Sequence, residues 1–263
     1  MFDNHVHTEI SADSSMIIED AIKAANTRGV NLILTEHMDI EYPGAAEGED
    51  FTFNVEDYFK KYGKLRNDKL LLGMEVGLRP EFLKRNEEII KSDNFDFVIG
   101  SIHVVNGMDI FRKDYYEGKS KKAAYEEYLE AMIKCLKIYN DIDTLGHIDY
   151  ISRYAPYEDK EIYYDDFSDH IDEVLKLLIE KGKAMEINTR RLNLEGARNN
   201  LLKIYSRYRD LGGKIVTVGS DSHNPEAIGG NFEYAIDIIN KVGLKNVYFK
   251  GREICYDNLE IIK

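Results

Sequence analysis

The sequence predicts an α/β protein with a parallel sheet, and three observations support this prediction. Short, almost continuous apolar runs alternate along the chain with longer amphipathic segments of helical period. Such runs are typical of strands that are covered on both faces, and their alternation with helices indicates βα units. The length of 263 residues fits an α/β barrel, a fold of about 250 residues that forms one unit. We therefore expect a single domain over residues 1–263.

Apart from the segment that opens the chain, the predicted strands correspond to the apolar runs. These strands are predicted at residues 31–35, 70–75, 95–99, 142–145, 184–188 and 214–218. Apolar residues at helical spacing predict helices at 15–28, 123–139 and 167–181. Gly182 is a suitable residue to end the last of these helices, and Asn224 followed by Pro225 predicts the capped start of another. Two loops, at 42–50 and 106–120, are expected near the site.

Composition and charge narrow the class of function. The formal net charge is −13, and the chain has no basic stripe of the kind that binds a nucleic-acid backbone. No apolar run approaches the roughly 20 residues of a membrane span, and no signal peptide is expected. Cys135 and Cys255 belong to no metal-ligand spacing and are expected to be free thiols in a reducing cytosol. We expect a cytoplasmic protein that binds neither nucleic acid nor membranes.

Six of the seven histidines lie in short motifs at the ends of predicted strands. The motifs are DNHVHT at 3–8, TEH at 35–37, GSIH at 100–103, GHID at 146–149 and GSDSH at 219–223. Histidine is the commonest metal-binding side chain, and carboxylates complete sites for divalent cations. Because the loops after the strands of a βα barrel form its active site, these motifs can converge. The sequence therefore predicts a multinuclear metal site.

Two motifs show how ligands are presented to such a site. His5 and His7 are two residues apart, so on a strand both imidazoles point to the same face and can bind one ion. Glu75 ends an apolar run between Gly73 and Gly77, and a buried carboxylate is costly unless it is paired or bound to a metal. Imidazole and carboxylate ligands without a thiolate suit zinc, manganese or iron.

Taken together, the motifs DNHVHT, TEH, GMEVG, GSIH, GHID and GSDSH resemble those of the polymerase and histidinol phosphatase (PHP) superfamily of metal-dependent phosphoesterases. They occur in the family's order and run from Asp3 to His223. Segments 11–14, 146–150 and 186–189 are most similar to the histidinol-phosphate phosphatase branch. The resemblance implies a distorted (β/α)7 TIM-like barrel that holds two to three divalent ions.

The resemblance also implies which residues bind each ion. One ion would be bound by His5, His7, Glu75 and Asp221. A second would share Glu75 and add His103 and His147. A third would be bound by Asp13, His37 and His223. Asp13 stands where many relatives have a histidine, and aspartate is also a competent ligand.

Substrate contacts are predicted at four positions. Arg153 and Arg190 lie where the branch uses arginines on the substrate phosphate, and a planar guanidinium suits bidentate phosphate binding. Arg191 adjoins Arg190, so the sequence leaves open which of the two faces the site. Tyr115 and Tyr116, in the second predicted loop, are candidates to line the pocket through their rings and hydroxyls.

The catalytic candidates are Glu75, Asp221 and His223. Two ions bridged by Glu75 would activate a water for attack on phosphorus. Asp221, His223 or a metal-bound water could protonate the leaving group, and the sequence does not choose among them. Asp3 and Asp149 are predicted to orient ligand histidines.

The resemblance implies the function of a histidinol-phosphatase, which hydrolyses L-histidinol phosphate to L-histidinol and phosphate in histidine biosynthesis. Two alternatives remain open. One is a PHP phosphoesterase acting on another small phosphate ester, such as a nucleotide or sugar phosphate; the other is a non-catalytic metal-binding protein. The absence of a basic stripe disfavours a polymeric substrate. The oligomeric state is not predicted.

Overall fold

A computed structural model describes residues 1–46, 50–257 and 259, and helices connect the successive strands of its main parallel sheet. The strands are β1 (Phe2–Val6), β2 (Asn31–Met38), β3 (Leu70–Gly77), β4 (Phe97–Ser101), β5 (Val104–Val105), β6 (Met108–Asp109), β7 (Thr144–Leu145), β8 (Ala184–Asn188), β9 (Ile215–Gly219), β10 (Lys245–Lys250) and β11 (Glu253–Tyr256). The helices are α1 (Ile18–Arg28), α2 (Val55–Tyr62), α3 (Leu83–Ile90), α4 (Lys121–Ile138), α5 (Ile151–Tyr154), α6 (Ser168–Glu180), α7 (Glu195–Asp210) and α8 (Phe232–Val242).

Seven parallel strands form the wall of a barrel. Their order is β1-β2-β3-β4-β7-β8-β9, and every neighbouring pair is parallel. The wall closes where β9 returns to β1, through a parallel bridge between Val6 and Ser222 and a hydrogen bond of 2.9 Å from the His7 N–H to the Ser222 carbonyl. The predicted α/β barrel with a parallel sheet is confirmed.

The last two strands extend the sheet beyond the barrel. β10 is parallel to β9, and β11 returns antiparallel to β10. At the turn between them, Arg252 Nε donates to Asp143 (2.6 Å) and the Gly251 N–H donates to Asp96 (2.9 Å). Asp96 and Asp143 directly precede β4 and β7, so this hairpin lies at the amino-terminal ends of the strands. The opposite end of the barrel carries the histidine motifs.

The predicted elements lie in the right places, but several bounds differ. β2 and β3 extend to Met38 and Gly77, so the TEH and GMEVG motifs lie within strands rather than after them. Helix α1 begins at Ile18 because Ile17 is still extended. The Asn224 side chain accepts the Ala227 N–H, as predicted, although the turn that it caps is a short 3-10 helix. Residues 47–49 of the predicted loop 42–50 lie outside the described residues.

The core between the barrel and its helices is rich in tyrosine. Tyr58 and Tyr205 are fully buried, and their hydroxyls donate to the carbonyls of Gly73 (3.2 Å) and Glu186 (2.7 Å) on the barrel strands. A buried hydroxyl needs such a partner. Each of these tyrosines therefore joins the helix layer to the strand layer by packing and by a hydrogen bond. Among the described helices, none has the length and hydropathy needed to cross a membrane.

Candidate metal centre

The six motif histidines meet at the carboxyl-terminal end of the barrel. The ring centroid of His7 lies 4.2 Å from those of both His37 and His223, and His5 lies 5.6 Å from His147. A cavity of about 160 Å³ opens onto this cluster. The structure thus brings together all the side chains predicted as ligands, although they come from strands spread over most of the chain.

Glu75 lies at the centre of the cluster, and its two oxygens face different histidines. Oε2 is 3.3 Å from His5 Nε2 and 3.4 Å from His7 Nε2. Oε1 is 2.8 Å from His147 Nε2 and 3.4 Å from His103 Nε2. Oε2 also lies 3.0 Å from His37 Nδ1. The two oxygens therefore face separate sets of imidazoles, which suits a carboxylate that two ions would share.

Asp221 completes the group around Glu75 Oε2. Its Oδ1 lies 3.7 Å from His5 Nε2 and 3.6 Å from His7 Nε2. The backbone at Asp221 is left-handed, with φ of 54°, a conformation that costs energy in a residue other than glycine. Asp3 supports this turn by accepting the N–H (2.8 Å) and hydroxyl (2.6 Å) of Ser220.

A third group of ligand atoms lies toward solvent. Asp13 Oδ2 is 3.1 Å from His223 Nε2 and 3.5 Å from His37 Nε2. His7, His37 and His223 also offer nitrogens within 4.8 Å of one another. Asp13 is 41% exposed, so this group is more open than the two around Glu75.

Buried polar atoms without hydrogen-bond partners test whether these residues fit metal ions. Among the described residues, His5 Nε2, His7 Nε2 and Glu75 Oε2 are buried and accept or donate no hydrogen bond. An unsatisfied buried polar atom normally costs about 1–3 kcal/mol. Three of them converging on one point fit a divalent cation, which would bind all three.

The far nitrogens of three imidazoles are held by other side chains. The pairs are His5 Nδ1 with Glu186 (2.7 Å), His7 Nδ1 with Ser11 (3.1 Å) and His103 Nδ1 with Asp39 (3.0 Å). Each of these partners can accept an Nδ1–H, which leaves the Nε2 lone pair for an ion.

The orienting roles predicted for Asp3 and Asp149 are wrong. Asp3 contacts the backbone of His5 and the turn at Ser220, not an imidazole. Asp149 is paired with Arg191 (2.8 Å), because the chain turns after His147 and carries the carboxylate away from the ring.

Charges in the centre shift the pKa values of several groups. Burial acts to lower the pKa of His103, but Asp39 and Glu75 outweigh it and raise this pKa to about 10. Burial and the neighbouring His223 hold the pKa of His7 well below its ordinary value. Burial acts to raise the pKa of Asp221, but Arg153 holds it well below its ordinary value.

The three arginines differ in their surroundings. The Arg153 side chain is only 6% exposed, and it donates to Asp221 (2.5 Å) and to Asn188 (2.9 Å). Arg190 lines the cavity with its side chain 44% exposed. Arg191 is buried between two carboxylates, Asp149 and Glu161. Arg190 rather than Arg191 therefore faces the site.

Tyr115 and Tyr116 do not line the cavity, contrary to the prediction. Both are buried in the core, and their hydroxyls donate to the carbonyls of Ala124 and Ile110, each at 2.7 Å. The 3-10 helix Lys113–Tyr116 turns them inward, beneath the loop. Two other aromatic residues, Tyr150 and Tyr154, line the cavity instead. Tyr150 directly follows the GHID motif and Tyr154 lies four residues further along, so their closeness to His147 in the sequence is a signal that could have identified them.

Comparison with known proteins agrees with the motifs. The family model described as "PHP domain" matches residues 3–190. A probable histidinol-phosphatase from Clostridium acetobutylicum is 47% identical over 256 residues, covering 97% of this chain and 99% of the relative. The histidinol-phosphatase of Lactococcus lactis is 32% identical, covering 96% of this chain and 95% of the relative.

A solved structure gives the same result. The crystal structure of histidinol phosphate phosphatase from Lactococcus lactis, in complex with zinc, L-histidinol and phosphate, superposes with a TM-score of 0.91 at 31% identity. The match covers 97% of this chain and 98% of the other. The chain belongs to the PHP family and, within it, to the histidinol-phosphatases.

Proposed function

We propose that this chain hydrolyses L-histidinol phosphate to L-histidinol and phosphate, as a metal-dependent phosphomonoesterase of histidine biosynthesis. The observation that carries the proposal is the position of Glu75, whose two oxygens face separate sets of imidazoles beside a cavity lined by Arg153 and Arg190. The similarity to an enzyme whose structure contains zinc, L-histidinol and phosphate supports the choice of substrate. This biosynthetic role is the basis on which we propose a cytoplasmic location.

We propose that the centre holds two to three divalent ions of zinc, manganese or iron. The residues that would hold them are His5, His7, Glu75 and Asp221 for one ion, Glu75, His103 and His147 for another, and Asp13, His37 and His223 for a third. When bound, such ions supply positive charge to the phosphate oxygens and lower the pKa of a water toward neutrality.

The two arginines have separate roles in this proposal. Arg190 is exposed to the cavity, so its guanidinium can bind the phosphate oxygens of the substrate. Arg153 is already bonded to Asp221 and Asn188. Its buried Nε has no hydrogen-bond partner among the described residues, and Arg153 lines the cavity. We therefore propose that this N–H donates to a phosphate oxygen. Both cations offset the charge that develops as the ester bond breaks.

Proton transfer to the leaving group is the remaining step. Arg153 holds the pKa of Asp221 well below its ordinary value, despite the opposing effect of burial. Asp221 is therefore ionised at neutral pH, which suits a metal ligand better than a proton donor. We propose that the proton comes from water or, when no ion is bound to its imidazole, from His223, which lines the cavity.

Steady-state hydrolysis of L-histidinol phosphate, beside a panel of nucleotide and sugar phosphates, tests the substrate on protein of measured metal content. We expect kcat/KM for L-histidinol phosphate to exceed that of the panel by orders of magnitude. Weak, uniform activity in fully metallated protein would refute this substrate and favour another small phosphate ester. No hydrolysis at all would favour a metal-binding protein without catalysis.

A further inference from the structure

Glu186 is a buried carboxylate that no predicted role accounts for. It lies in β8 (Ala184–Asn188) with 1% of its surface exposed, and its side chain is inside the barrel close to the metal centre. A buried carboxylate is tolerated only when hydrogen bonds satisfy its oxygens. The donors that satisfy Glu186 are therefore informative.

Two of those donors belong to residues in the predicted ligand set. Glu186 Oε1 lies 2.7 Å from His5 Nδ1, and Oε2 accepts the His147 N–H at 2.6 Å. His5 is on β1, whereas His147 follows β7. Asn188 Nδ2 adds a third donor at 3.2 Å from Oε2. One carboxylate thus connects a histidine that faces Glu75 Oε2 with a histidine that faces Glu75 Oε1.

The neighbouring strand leaves just enough room for this carboxylate. A Cβ atom at Gly219, on β9, would lie 2.5 Å from Glu186 Oε1 and 2.4 Å from the Cβ of His5. Neither neighbour has space to withdraw, because both are buried. The absence of a side chain at Gly219 is therefore needed for Glu186 and His5 to meet.

The hydrogen bond to Glu186 determines which nitrogen of His5 is free. A carboxylate can only accept, so the proton of the neutral imidazole is on Nδ1. The lone pair is then on Nε2, which has no hydrogen-bond partner in the described structure and lies 3.3 Å from Glu75 Oε2. Glu186 selects the tautomer of His5 that can bind an ion.

We propose that Glu186 is a positioning residue for two of the metal sites at once. It fixes the tautomer and ring orientation of His5, and it holds the backbone that carries His147. The proposal rests on the metal-binding part of the proposed function and does not depend on the substrate.

Glu186→Gln tests the proposal because an amide has one acceptor oxygen where the carboxylate has two. If the amide oxygen faces the His147 N–H, its NH2 group faces His5 Nδ1 and favours the tautomer whose Nε2 is protonated. If the amide oxygen faces His5 instead, the NH2 group faces the backbone N–H of His147, and these two donors cannot form a hydrogen bond. In either case we expect the affinity of metal-free protein for Zn²⁺, measured by competition with a chromogenic chelator, to fall about 10–100-fold.

Asp143→Asn is the matched control. Asp143 is also a buried carboxylate, 6% exposed, that accepts an arginine N–H and a backbone N–H, but it lies at the other end of the barrel. This variant should lose stability and keep the wild-type affinity for Zn²⁺. Wild-type affinity in Glu186→Gln would overturn the proposal, as would equal losses in both variants. Failure of the wild-type protein to bind Zn²⁺ would instead refute the proposed function itself, and this proposal with it.

A second measurement uses the wild-type protein and so does not depend on whether a variant folds. In the zinc-loaded wild-type protein labelled with ¹⁵N-histidine, long-range ¹H–¹⁵N spectra report which ring nitrogen carries the proton. We expect His5 to be protonated on Nδ1. A His5 ring protonated on Nε2 would overturn the proposal.

Discussion

Replacing Glu75 by glutamine should weaken metal binding at the two sites that share Glu75 while keeping their shape. The carboxylate oxygens lie 2.8–3.4 Å from four imidazole Nε2 atoms, so the lost negative charge is beside both proposed bridged sites. One pair of unit charges about 4 Å apart is worth roughly 4 kcal/mol at an effective dielectric constant of about 20. For a divalent ion this interaction is larger, but the amide oxygen of Glu75→Gln can still bind weakly.

Taking roughly 4 kcal/mol as the net loss, we expect a decrease of about a thousandfold in affinity for each of the two ions. The assay is metal content by mass spectrometry after dialysis against a graded series of chelator concentrations, with Asp143→Asn as the control for loss of a buried carboxylate. The reasoning would be refuted if Glu75→Gln kept both ions at the chelator concentrations where the wild-type protein keeps them. Loss of one ion only would refute the bridge.

Three further predictions separate substrate binding, stability and protonation. Arg190→Ala should lower kcat/KM about 10–100-fold, the effect of one charged hydrogen bond, with an unchanged urea midpoint; an unchanged kcat/KM would show that Arg190 does not bind phosphate. Arg191→Ala leaves the carboxylates of Asp149 and Glu161 without their partner, so urea unfolding should show a loss of about 3–5 kcal/mol. A loss below about 1 kcal/mol, typical of an exposed pair, would contradict the buried geometry. In metal-free protein, the pKa of His103 is about 10, which is above the value of about 6.5 in the unfolded chain. Protonated His103 therefore stabilises the fold fully below about pH 6.5, and this stabilisation is lost as the pH rises toward 10. Across this pH range, the free energy of unfolding in urea should decrease less in His103→Gln than in the wild-type protein. An identical decrease in both proteins would be evidence against protonation of His103.

The sequence predicted which side chains meet in the cluster because strand geometry decides where they point. His5 and His7 follow the two-residue period of a strand, and the GMEVG run marks Glu75 as a carboxylate inside an apolar segment. What the sequence does not contain is the pairing between strands. In the structure, His37 and Glu75 are register partners on adjacent strands, which is why one imidazole of the outer group reaches the central carboxylate.

The groups that orient the histidines were the weakest part of the prediction. Asp3 is predicted to orient a ligand histidine, yet the side chain that contacts the His5 imidazole is Glu186, 181 residues away along the chain. Such contacts depend on how the barrel closes. A carboxylate in the middle of a predicted buried strand was nevertheless a usable signal, because it requires hydrogen-bond donors.

The tyrosine predictions failed for a different reason. Tyr115 and Tyr116 were assigned to the pocket because they lie in a predicted loop, but a 3-10 turn directs both side chains into the core. The position of a residue in a loop does not determine whether its side chain points into the core or toward the cavity. Tyr150 and Tyr154 line the cavity because they lie on and next to the short helix α5, directly after the His147 motif.

The most direct test of the central claim is a titration of metal-free protein with Zn²⁺ or Mn²⁺, following both bound metal and kcat/KM for L-histidinol phosphate. If the histidine and carboxylate cluster is the catalytic centre, activity should be absent without metal. It should then appear only as the ions proposed to share Glu75 become bound, and it should not be restored in Glu75→Gln at the same metal concentrations. Full hydrolysis of L-histidinol phosphate by protein shown to be free of metal would contradict the account.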